Sequence, residues 1–69
     1  MNEVQTQLLN RLREIVEEYV VDKNVAARLA AHIEPLKIKY VLHELELIKS
    51  RPFSSSDKEV IKDIYFNFC

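Results

Sequence analysis

The chain has no glycine, no tryptophan, two prolines and one cysteine in 69 residues. Each shortage removes a class of structure. Tight β-hairpins want Asn-Gly, Asp-Gly or another glycine where φ is positive, and none is available. A β-sheet protein is therefore not expected. A single cysteine closes no internal disulfide, and secreted domains of this size that rely on disulfides are cysteine-dense. Cys69 reads as a reduced thiol of a cytosolic protein.

An excess of either charge is also missing. Ten basic residues face eleven acidic ones, giving a net charge of −1 and a pI near 6.1. Such a chain lacks the surplus positive charge that releases counterions from nucleic acid, and it has no polybasic patch for anionic lipid. No unbroken apolar stretch exceeds four residues, and "MNEVQTQLLNRL" has no basic region followed by an apolar run. No membrane span or targeting segment is expected, and the protein should be soluble and cytoplasmic, or nuclear in a eukaryote.

What is present is apolar and helical. The apolar fraction is 48% and the charged fraction 30%. One domain, residues 1–69, accounts for the length. A folded chain this short buries only about 60% of its unfolded surface. That apolar content exceeds what one small core easily hides, so burial against another molecule is expected.

Four helices follow from the spacing, at about residues 3–21, 24–33, 36–50 and 57–68, as a small all-α four-helix bundle. In the first, Val4, Leu8, Leu12, Ile15, Val16, Tyr19 and Val20 recur at intervals of three and four, with Asn2 placed to cap it. "VVDKN" interrupts the pattern, and Asp22 or Asn24 caps a shorter helix with Val25, Ala26, Leu29, Ala30 and Ile33 on one face. Pro35 disfavours helix at Glu34 but suits the first turn of a third helix. "SRPFSSSD" reads as a linker. Ser56 and Glu59 form an expected capping box for the fourth helix, whose stripe is Val60, Ile61, Ile64, Tyr65 and Phe68. The same linker fits a phosphorylation pattern, with Ser54 three residues after Arg51 or Ser56 ahead of Glu59, but capping explains Ser56 without it.

The third helix is the most informative. "PLKIKYVLHELELIK" alternates like a strand, yet no other segment offers a partner strand. At 100° per residue, Ile38, Val41, Leu42, Leu45 and Ile48 fall on one side and Leu36, Tyr40, His43 and Leu47 on the other. The alternation is the projection of two opposed apolar stripes. A helix apolar on both sides lies between two layers. Either the first and fourth helices supply both layers, or the second stripe meets another protein. Leu36, Tyr40, His43 and Leu47 are accordingly the candidate partner-binding residues.

Sites for chemistry are not expected. His32, His43 and Cys69 are the only soft ligands, and "HELEL" differs from HExxH by Leu at position 47, so no metal is expected. There is no nucleophile elbow, glycine-rich phosphate loop or CxxC, so the protein is expected not to be an enzyme and to need no cofactor. The expected function is protein–protein interaction, as a small regulator, adaptor or inhibitor of a larger partner. A homodimer is also expected, formed by the second stripe of the third helix or, less favoured, by Leu8, Leu9, Leu12 and Tyr19 of the first. The rival reading is a helix-turn-helix DNA-binding transcriptional regulator using residues 25–50, with Lys37 and Lys39 opening the recognition helix.

Overall fold

The computed structural model describes all of residues 1–69. Four α-helices follow one another: α1 (Glu3–Tyr19), α2 (Lys23–Ala30), α3 (Ile38–Ile48) and α4 (Ser55–Phe68), with a 3-10 turn at Pro35–Lys37 and no strand. The all-α four-helix architecture read from the sequence is the one observed. Its ends differ, and each difference has a physical cause.

The α1 N-terminus is closed by a capping box. Asn2 Oδ1 accepts from the Gln5 N–H at 2.8 Å, and Gln5 Oε1 accepts from the Asn2 N–H at 3.3 Å. The helix stops at Tyr19, two residues earlier than expected. Val20 is extended, and its side chain turns into the core. Asp22 competes for the backbone immediately afterwards, as the cap of the next helix. Asp22, not Asn24, is the cap of α2, its carboxylate accepting from the N–H groups of Asn24 and Val25.

The α2 helix ends at Ala30, so Ile33 reaches the core from outside it. Glu34 is extended, as expected before proline, and Pro35 opens a 3-10 turn rather than the α-helix itself. Regular α-helix therefore begins at Ile38 and not at Leu36. At the other end the chain leaves α3 after Ile48, and the Ser50 N–H donates to the Tyr19 carbonyl at 2.8 Å. That bond ties the linker to the end of α1.

The expected cap of α4 is corrected. Ser54, not Ser56, is the N-cap: its Oγ accepts from the Asp57 N–H at 3.2 Å, and α4 begins at Ser55. Ser56 is exposed, and no Ser56–Glu59 capping box forms. The third residue of the helix is thus Asp57, whose carboxylate turns inward to Tyr19 rather than back to the cap.

One core joins the helices. Leu12, Ile15 and Val16 of α1 meet Leu29 of α2, Val41 and Leu45 of α3 and Ile64 of α4. Ala26 is also buried, so its small side chain lets α2 approach closely. The face of α1 is rotated slightly from the one expected: Leu9 is buried, Leu8 only half-buried, and Val4 exposed. The surface of 4627 Å² is close to the roughly 4,500 Å² of a compact monomer of this mass.

Candidate interaction surface

The two stripes of α3 have different fates. Ile38, Val41, Leu42 and Leu45 are buried in the core, as the first stripe requires. On the other side Leu36 is 94% exposed, Leu47 67% and Tyr40 48%, and His43 is exposed. No helix of the chain covers this second side. Ile48, expected with the buried stripe, lies at its edge and is exposed.

Leu36 reaches the surface from the 3-10 turn, while Tyr40, His43 and Leu47 project from α3 itself. Tyr40, His43 and Leu47 therefore share the outer side of a helix whose opposite stripe is fixed in the core, and Leu36 is exposed on the turn before it. The alternative surface on α1 is not available. Leu9, Leu12 and Tyr19 are core residues and Leu8 is partly buried against them.

Beside the exposed stripe lies a groove that the sequence did not announce. It has a volume of about 300 Å³ and runs between α2 and α3, lined by Val25, Arg28, Leu29 and His32 on one wall and Tyr40, Glu44 and Ile48 on the other. The His32 ring stands edge-on to Tyr40, with centroids 5.6 Å apart and an interplanar angle of 88°. This contact joins the two walls of the groove, and Tyr40 belongs both to the groove and to the stripe. Arg28 and Glu44 take part in no ion pair; those within 4.0 Å all join other residues.

A second polar cluster is internal. Tyr19 is 1% exposed and Asp57 6%. The Tyr19 hydroxyl donates to Asp57 Oδ2 at 2.6 Å and accepts from the Ser54 N–H at 3.0 Å, while Arg11 Nη2 donates to Asp57 Oδ1 at 3.2 Å. Phe53 stacks edge-on against Tyr19 at 4.8 Å, and the Arg51 guanidinium lies 4.3 Å from the Tyr19 ring centroid on another side. Each polar atom in this cluster is satisfied from within the fold, and no buried side-chain polar atom is left without a partner. Such a cluster holds elements together.

The remaining candidates stay apart. His32 lines the groove, His43 points from the exposed stripe and Cys69 is exposed after the end of α4, and nowhere do three His, Cys, Asp or Glu side chains gather as a metal site needs. No helix is long and apolar enough to cross a membrane. The α2–α3 connection spans seven residues, Ala31 to Lys37, against the three or four of a helix-turn-helix, and Lys37 lies in the 3-10 turn. Compared with protein-family models, with curated proteins and with solved structures, the chain matches none.

Proposed function

We propose that the protein is a non-enzymatic interaction module, a regulator, adaptor or inhibitor that acts by binding another polypeptide through the outer face of α3. One observation carries this reading. In a fold whose interior is fully satisfied, two large apolar side chains of α3, Tyr40 and Leu47, are left in water on one face beside a groove, with Leu36 exposed on the turn that leads into the helix. Scattered exposed apolar residues need no explanation, and α4 carries two, Phe66 and the half-exposed Tyr65, neither of which lines a groove. A line of them beside a groove is the usual form of a docking site for a helix or a loop.

The mixture of residues fits. Interface centres are enriched in tyrosine and in apolar residues and depleted in charge, and here one tyrosine lies among two leucines and a histidine. Fixing the opposite stripe in the core preorganises the outer one, which lowers the ordering cost of binding. The proposal includes a cytoplasmic site of action.

The test is comparative capture. The full chain with an affinity handle is incubated with native lysate beside Tyr40→Asp/Leu47→Asp and beside Phe66→Asp. A protein retained by wild type and Phe66→Asp but lost with the double variant supports the reading. Proteins retained equally by all three overturn it.

A further inference from the structure

The groove between α2 and α3 and the stripe beside it together have the properties of a surface that fits itself. We infer that the polypeptide seated there is a second copy of this chain, related by a two-fold axis, with Leu47 of each copy entering the groove of the other and Arg28 paired with the partner's Glu44. The inference rests on the reading of the α3 face as a docking surface, and it names the occupant.

Shape is the first argument. A two-fold interface applies the same patch to both sides, so the patch must carry both what projects and what receives. A surface made for a foreign ligand needs only one of these. Here Leu47 projects, 67% exposed. It stands about 60° around the helix from Glu44, in the ridge Tyr40–Glu44–Ile48 that forms one groove wall. Knob and hole therefore lie side by side on one face.

Charge is the second and sharper argument. The groove has one cation, Arg28, on the α2 wall and one anion, Glu44, on the α3 wall, and neither has an ion-pair partner in the chain. A foreign helix with charge of one sign would answer one of them and cover the other, leaving a charge desolvated and unpaired, which is costly. A second copy brings one of each. Under a two-fold axis Arg28 meets the partner's Glu44, and the same pair forms again on the other side of the axis. Two ion pairs are made and no charge is stranded.

Area is the third. A specific interface needs about 1,000 Å² in total, or about 500 Å² from each chain. That is roughly a ninth of the 4627 Å² surface. The aromatic pair His32–Tyr40 then lies inside the contact, where desolvated tyrosine contributes most.

The test uses charge reversal in trans, which separates pairing between copies from any effect within one. Arg28→Glu makes a chain acidic at both positions, and Glu44→Arg makes one basic at both. Neither residue is in the core, and circular dichroism checks that both variants fold. Light scattering coupled to size exclusion, from low to high micromolar concentration, should show wild type moving from 8.1 kDa towards twice that mass. Each variant alone should dimerise at least about tenfold more weakly. Mixed in equal amounts they should form a heterodimer at near wild-type affinity. The acid introduced at position 28 of one chain then meets the base introduced at position 44 of the other. The unaltered Arg28 and Glu44 pair on the other side of the axis. A wild type that stays at 8.1 kDa to high micromolar concentration overturns the dimer, as does a mixture that remains monomeric when wild type dimerises. If wild type is monomeric yet still captures a protein lost with Tyr40→Asp/Leu47→Asp, self-association falls and the docking reading stands. If nothing is captured either, both fall.

Discussion

The hydroxyl of Tyr19, in the last turn of α1, donates to the carboxylate of Asp57 at 2.6 Å across 38 residues of sequence. Both groups are buried, and the same hydroxyl accepts from the Ser54 N–H, so one side chain fixes where α4 starts and how it meets α1. Removing only that oxygen, in Tyr19→Phe, strands a carboxylate oxygen and a backbone N–H in the interior. The expected loss is about 1–3 kcal/mol of unfolding free energy, read from urea denaturation. Arg11→Ala should cost distinctly less, because Arg11 is about half exposed and water replaces it on Asp57. Equal losses from the two variants would contradict this ranking.

The cap of α4 separates two serines that are alike in sequence. Ser54→Ala removes the acceptor for the Asp57 N–H and should destabilise by about 1 kcal/mol. Ser56→Ala, at an exposed position inside the first turn, should stay within about 0.5 kcal/mol of wild type. Thermal melts of the two variants compare them directly. A larger loss at Ser56 would restore the capping box expected from the sequence.

Charge on the two sides of α3 should have opposite consequences. Leu45 is fully buried and Leu47, two residues on, is exposed. Leu45→Asp places an unpaired carboxylate in the core and should abolish the cooperative melt. Tyr40→Asp/Leu47→Asp should leave the helical circular-dichroism signal and the melt of the monomer nearly unchanged. An unfolded double variant would mean that the outer stripe is core.

Binding to nucleic acid is expected to be absent. With a net charge of −1 and an outward face of leucine and tyrosine, mixed duplex DNA at low salt should not be retarded in a mobility-shift assay. A shift that collapses steeply as salt rises would instead favour the helix-turn-helix reading.

The helices were legible in the sequence because three- and four-residue spacing and the lack of glycine act locally. Their ends were less so, because long-range packing sets them. Val20 and Ile33 leave the helix to reach the core, and α4 starts two residues early because Asp57 must face Tyr19. Nothing near Ser54 or Ser56 signals that partner. The outer stripe of α3 was visible from periodicity alone, since one helix contains all of its turns but the first. The groove was not: Arg28 and Glu44 become neighbours only once α2 and α3 pair, and His32 and Tyr40 show their contact only then.

The central claim is that the outer face of α3 is where another polypeptide docks, and placing a photocrosslinker on that face tests it most directly. A benzophenone amino acid at position 47 is compared with the same residue at positions 59 and 62 on the outer side of α4, in the native cellular background. Irradiation should yield a protein adduct, with a second copy or with another chain, from position 47 and not from the α4 positions. Adducts from α4 alone, or none from position 47 in a chain that circular dichroism shows to be folded, would contradict the account.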